Sequence, residues 1–352
     1  MEFASDNWAG VAPQISAALA KAGEEFAAAY GTSDVDVQVE AMLADVFERP
    51  VSVFFVATGT AANAMALSAM SKPGGVIFCH EEAHINVDEC GAIEYLTGGT
   101  RLKGLPGDEC KLSPETISRA AAEFDPSFVH GGRPVGVSVT QATEAGAVYS
   151  VAEIEAIAAA TKAARLPLHM DGARFANALA ATGATPAEMT WKAGVDLLSF
   201  GATKNGCWCA EALVVFNDDL AVDIQWLRKR AGHLFSKTRF IAVQFEAYLR
   251  DGLWLKLAAH ANGMAGQLAA GLAQSNRAKI TGTPQGNELF VWLKRDDVEK
   301  LRGQGANFYD WPDVHHSNAQ DMRAADMQLV RLVTSFATTE DQIARFVEGV
   351  RA

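Results

Sequence analysis

A single amine, Lys204, follows an apolar, strand-like stretch in the run Val-Asp-Leu-Leu-Ser-Phe-Gly-Ala-Thr-Lys-Asn-Gly at residues 195–206. The turn around it is built of small residues, so little crowds it. A lysine pushed toward apolar surroundings loses proton affinity and can form an imine with an aldehyde. Upstream, Leu168-His169-Met170-Asp171-Gly172-Ala173-Arg174 delivers a carboxylate and a guanidinium in the same way. A buried carboxylate needs a partner; a protonated ring nitrogen would serve Asp171, and Arg174 could grip a carboxylate with two prongs. Alternatively the two residues pair with each other. Earlier still, Phe54-Phe55-Val56-Ala57-Thr58-Gly59-Thr60 runs from a strand into a helix start, where free N–H groups and the helix dipole attract phosphate. Alone, that segment also reads as an ordinary threonine cap. An amine, an acid and a phosphate cup, each past a strand end, are the parts that a pyridoxal 5'-phosphate site requires.

The elements that must position these groups alternate between strand and helix. Continuous β-branched and aromatic runs predict strands at 51–57, 76–79, 135–140, 167–170, 196–200 and 212–216. Helical spacing predicts helices at 15–30, 37–47 (capped by Asp34 or Asp36), 61–70 and 151–164. Such alternation implies an α/β fold, with a mostly parallel central sheet flanked by helices and ligands bound outside the carboxyl ends of its strands. Beyond about residue 250 the pattern changes to a long helix at 255–272, strands at 289–293 and 329–335 and a closing helix at 339–351. This reads as a smaller α+β domain. The expected division is an N-terminal segment 1–14 reaching the site, a large domain 15–250 and a small domain 251–352.

Composition bounds the rest. The 352 residues suffice for a sizeable core, and 49% hydrophobic with 20% charged residues fits an ordinary soluble protein. A net charge of −12 argues against nucleic acid as a partner, since phosphate neutralisation needs a basic face. Five cysteines without framework spacing suit a reducing, cytoplasmic setting. The first residues lack the basic and apolar regions of a signal peptide, and no apolar run is long enough for a membrane span.

Taken together, Phe3-Ala4-Ser5-Asp6-Asn7, Thr58-Gly59-Thr60-Ala61-Ala62-Asn63, His169-Met170-Asp171-Gly172-Ala173-Arg174, Lys204 in its turn and Val330-Arg331-Leu332-Val333-Thr334 resemble the low-specificity L-threonine aldolases. These are pyridoxal phosphate lyases of fold type I, and the likeness runs in order over nearly the whole chain. The resemblance implies that Lys204 carries the cofactor, Asp171 faces its pyridine nitrogen, and Thr58, Gly59 and Thr60 hold its phosphate. It implies that His84 stacks on the ring and takes part in proton transfer. Ser5, Arg174 and Arg331 match positions that bind or border the substrate carboxylate. Tyr30 matches an aromatic given to a neighbouring subunit's site, and the assembly implied is a homotetramer of dimers sharing sites. The activity implied is cleavage of β-hydroxy-α-amino acids to glycine and an aldehyde, with His84 the first candidate base.

Two positions depart from the family pattern. Glu144, in Thr143-Glu144-Ala145-Gly146, stands where many members carry a histidine near the substrate hydroxyl, which leaves the threo/erythro preference open. Lys237, or Arg239 beside it, stands for an arginine expected near the phosphate, and a lysine offers no forked contact. Rival readings are a zinc site, because His80-Glu81-Glu82-Ala83-His84 satisfies HExxH literally, another lyase or a racemase of the same fold, an aryl-serine-preferring aldolase, and a non-enzymatic scaffold. Arg228-Lys229-Arg230 reads as a solvated helix face, and His315-His316 as a solvated loop.

Overall fold

The computed structural model describes residues 1–312 and 324–351; the His315-His316 pair lies outside them. Seven strands form the larger sheet: β1 (Ser52–Val56), β2 (Gly75–His80), β3 (Arg101–Leu105), β4 (Arg133–Thr140), β5 (Leu168–Gly172), β6 (Leu197–Gly201) and β7 (Glu211–Val215). Their order is β1-β7-β6-β5-β4-β2-β3. All neighbours from β3 to β6 pair in parallel, whereas β7 runs antiparallel to both β6 and β1. Because β7 alone is reversed, β1, β5 and β6 all deliver their carboxyl ends to one edge, and the mostly parallel α/β expectation holds.

The strands read as unbroken apolar runs because both faces are covered. Leu198 and Phe200 pack into one layer with Val39, Leu43, Ile154 and Phe245. Leu197 and Leu213 face the other, against Ala62, Met65 and Ala66 of the helix Gly59–Met70. Each fully buried leucine or phenylalanine contributes about 1.5–3 kcal/mol relative to exposure.

A second sheet has the order β10-β11-β9-β8, all antiparallel, from β8 (Ala278–Ile280), β9 (Glu288–Lys294), β10 (Tyr309–Asp310) and β11 (Met327–Val333). Its core gathers Leu268, Val291, Leu332 and Phe346, with Phe3 arriving from the other end of the chain. The helix Leu253–Leu272 serves both cores, through Trp254 and Ala258 in the large one and Met264 to Leu272 in the small one.

Several boundaries differ from expectation. The first helix spans Pro13–Ala22 and stops at Gly23, and Phe26, which helical spacing had recruited, is fully exposed. The second spans Asp34–Val46 and is capped by Ser33; Asp36 closes the box by accepting from the Ser33 backbone. Strand β3 went unpredicted because it is an edge strand with a largely polar, exposed face. Arg228 is no solvated residue: it is 8% exposed and donates through Nε to His233 O.

Candidate active site

Five strand ends meet around one cavity, bordered by Thr58 after β1, His84 after β2, Thr140 ending β4 with Glu144 beyond it, Asp171 on β5 and Lys204 after β6. At Thr58 the backbone turns from strand to helix; its Oγ1 accepts from Ala61 N at 3.2 Å and its carbonyl from Ala62 N at 3.2 Å. Those caps leave the N–H groups of Gly59 and Thr60 for another acceptor. An ideal Cβ on Gly59 would meet no protein atom within 4 Å, so packing leaves open space there. Lys204 lies in the 3-10 turn Thr203–Asn205, closed by Gly206 at φ +110°. Gly201 lets this turn approach β5, since a Cβ there would stand 2.7 Å from Ala173 O.

Asp171 is buried and pinned, Oδ1 accepting from Ala173 N at 3.0 Å and Oδ2 from Asn63 Nδ2 at 2.8 Å. The same amide donates to Glu89 Oε1 at 2.9 Å, and Glu89 Oε1 lies 2.9 Å from His84 Nδ1. Thus a buried carboxylate orients His84, and its hydrogen bond outweighs burial to raise the imidazole's proton affinity. His169 lies beneath the site between the Ser138 and Ser199 hydroxyls, both at 2.9 Å, and burial pushes it down to about 4. It is a neutral structural histidine.

Two further carboxyls border the cavity. Burial pushes both Glu144 and Glu211 up to about 7; Glu144 Oε1 accepts from His84 N at 2.9 Å, and Glu211 Oε1 from Thr203 N at 3.4 Å.

Arg174 is already engaged. Its Nε and Nη2 fork Asp6 at 2.7 and 3.1 Å, and Nη1 lies 3.2 Å from Glu288. Burial opposes ionisation of Asp6, but Arg174 more than offsets it and holds the carboxyl below the usual range. Arg331 is less committed: Nη1 is 3.8 Å from Glu288, Nε is buried without a hydrogen bond, and the guanidinium stacks 4.3 Å from the Trp311 ring. Burial lowers its proton affinity. Ser5, Arg174 and Arg331 border an outer cavity that joins the first through His84, Glu144 and Lys204.

Tyr30 and Lys237 do not border either cavity. Tyr30 is half exposed, with Lys229 Nζ 5.4 Å above its ring. Arg239 donates to Glu25 O at 3.3 Å instead. The zinc reading needs two histidines one helical turn apart, but His80 ends β2 and accepts from Glu82 N, and only His84 opens the short helix His84–Val87.

Sequence reasoning brought Lys204, Asp171, His84, Glu144 and the phosphate cup together but missed Asn63, Glu89, Glu211, Asp6's pairing and Glu288. Glu211 and Glu288 carried the signal used for Asp171, a lone carboxylate at the edge of an apolar run. Asn63 closed the phosphate-cup segment without any sign of its partners, and Glu89 carried no signal.

These residues fit pyridoxal phosphate: a helix-start cradle at Gly59 that no side chain fills, a buried carboxylate on β5 and an amine just past the adjacent strand. The comparisons agree. The family model described as beta-eliminating lyase matches residues 2–296. A low specificity L-threonine aldolase of Pseudomonas sp. (strain NCIMB 10558) is 41% identical over 308 residues, 88% of either protein. One of Pseudomonas aeruginosa is 40% identical over 331 residues, 94% of either. The solved threonine aldolase of Leishmania major superposes with a TM-score of 0.91 at 30% identity, covering 99% of this chain and 98% of that one. The chain belongs to the beta-eliminating lyase family, among its low-specificity L-threonine aldolases.

Proposed function

We propose that this cavity cleaves L-threonine, L-allo-threonine and related β-hydroxy-α-amino acids to glycine and an aldehyde, using pyridoxal 5'-phosphate held on Lys204. The observation that carries this reading is the placement of Asp171 and Lys204 on neighbouring strand ends opposite the free N–H groups of Gly59 and Thr60. When bound, the cofactor supplies an electron sink for the pair released from the Cα–Cβ bond.

The chain's own residues do the rest. Asp171, oriented by Asn63 and Ala173, offers its negative charge to a cationic ring nitrogen. Gly59 and Thr60 hold the phosphate, with the dipole of their helix behind them. Arg331, underused and desolvated, takes the substrate carboxylate, with Ser5 and Arg174 beside it. By fixing that carboxylate these residues would set the orientation of the substrate at Cα, and with it which bond breaks. His84, held by Glu89, would lie against the bound cofactor. Tyr30 and Lys237, remote from their own cavity, serve that of a neighbouring subunit in a cytoplasmic homotetramer. Residues 1–14 act as a segment reaching the site, 15–250 as the cofactor-binding domain and 251–352 as the small domain. Aryl-serines are the second substrate class, favoured by the Trp311 ring that lines the outer cavity.

The test is borohydride reduction of the cofactor-loaded protein followed by peptide mapping, with glycine and aldehyde measured from several β-hydroxy amino acids. The pyridoxyl mass should sit on Lys204. A label elsewhere, or glycine absent from every substrate, would refute the assignment.

A further inference from the structure

The acceptor of the substrate's hydroxyl proton can be identified from the groups around the cavity. His84 is poorly suited: its Nδ1 is tied to buried Glu89 at 2.9 Å, and that bond favours the imidazolium, which has no lone pair to receive a proton. Glu144 is placed differently. Its Oε1 is anchored by the backbone N–H of His84 at 2.9 Å, and its own backbone N–H and the Thr140 hydroxyl also lie beside the carboxylate. Glu144 also borders both cavities, the inner one with Asp171 and Lys204 and the outer one with Arg331 and Ser5. A substrate joining Lys204's cofactor to Arg331 must pass this carboxyl.

We propose that, if the aldolase reading above is right, Glu144 and not His84 takes the β-hydroxyl proton. As the O–H bond breaks, the Glu144 carboxylate takes the proton and the oxygen's pair completes the aldehyde carbonyl. The Cα–Cβ pair passes to the bound cofactor, and Cα later takes up one proton from solvent. Glu144 returns its proton to solvent through the outer cavity, so the turnover consumes none.

The surroundings suit a base working near neutrality. Burial raises the carboxyl to about 7 and the charge of Asp171 adds to this, against the hydrogen bonds from the His84 backbone and Thr140; His84, Lys204 and the already paired Arg174 border the same cavity. Cys79 and Cys110, both pushed up to about 12, and Tyr149, raised further, stay neutral. Glu82 lies across the outer cavity.

Glu144→Gln keeps the shape and the Oε1 anchor but cannot accept the proton. In the cofactor-loaded enzyme, threonine cleavage should fall by about 10²–10⁴-fold in kcat and lose its rise between pH 6 and 8. Exchange of glycine's α-hydrogen for deuterium, which needs no hydroxyl base, should stay within about threefold, as should cofactor absorbance. Glu144→Asp should retain the pH rise at a reduced rate. In the cofactor-free protein, a carboxyl infrared band absent from E144Q should titrate near pH 7. The proposal is overturned if E144Q keeps the rate and the pH rise, if glycine exchange falls in parallel with cleavage, or if no such band exists. A wild-type protein that neither takes up the cofactor nor exchanges glycine would sink the parent reading itself, a result that no E144Q outcome resembles.

Discussion

Replacing Asp6 by asparagine removes the charge that neutralises Arg174 while keeping the side chain's size. Asp6 is 2% exposed, its two oxygens accept from Arg174 Nε and Nη2 at 2.7 and 3.1 Å, and Asn287 Nδ2 adds a third donor at 3.1 Å. In D6N one carboxylate oxygen becomes an NH₂ facing a guanidinium N–H, so one fork prong turns from attractive to repulsive. Removing one member of a buried ion pair costs about 3–5 kcal/mol. Glu288 remains 3.2 Å from Nη1, which places the expected loss at the lower end, ~3 kcal/mol, or roughly two powers of ten in the folding equilibrium. Urea and thermal unfolding of both proteins measure it; at about 2 °C per kcal/mol, the midpoint should drop by ~6 °C. Because the folded carboxyl titrates below its unfolded value of about 3.9, its contribution is complete above that pH and lost only as pH falls through the folded value. The gap between the variants should therefore be constant from pH 5 to 8. A gap below ~1 kcal/mol, or one that closes between pH 8 and 6, would show that Arg174 is not held by this charge.

Other outcomes follow from the same geometry. Glu89→Gln should lower the His84 titration midpoint, read by NMR. The pair's stabilisation is fully present below about 6.5 and lost as pH rises through the raised value, so wild type and variant should converge in stability at alkaline pH; an unmoved midpoint would contradict the pairing. Gly59→Ala should leave stability unchanged or slightly higher, because its Cβ meets no protein atom, yet weaken cofactor binding about tenfold or more by fluorescence titration; equal affinity would mean the phosphate sits elsewhere. Asp171→Asn should cut kcat by about 10²-fold or more, and a near-normal rate would remove Asp171 from its role.

What could be read in advance depended on how locally each feature is encoded. Asp171 and Lys204 announce themselves because a charge follows an apolar run that must be buried on both faces, and Thr58 because a cap residue sits between a strand and a helix. The same rule, applied to Glu211 and Glu288, would have found two more members of the site. Asn63 and Glu89 were illegible: Asn63 looks like any polar residue inside a helix, and its bonds to Asp171 and Glu89 span 108 and 26 positions. The Asp6 partner of Arg174 was not legible, because nothing in the neighbourhood of Arg174 in sequence shows a carboxylate 168 positions away filling its fork. Periodicity misled at residues 23–30, where alanine-rich spacing suggested helix but no surface was available to bury Phe26. The sheet order, with β7 reversed between β1 and β6, depends on pairings that periodicity does not encode.

The strip around Phe3 constrains the order in which the molecule can be completed during synthesis. Phe3 N donates to Asn307 O, Val333 N donates to Phe3 O, and Asp6 is bound by Asn287 from 281 positions downstream. At about 5–20 residues per second, the opening residues emerge from the ribosome tens of seconds before their partners do. The seven-stranded layer can assemble in that interval, but the substrate side of the active site cannot. Nascent chains should therefore acquire affinity for the cofactor earlier than they acquire turnover.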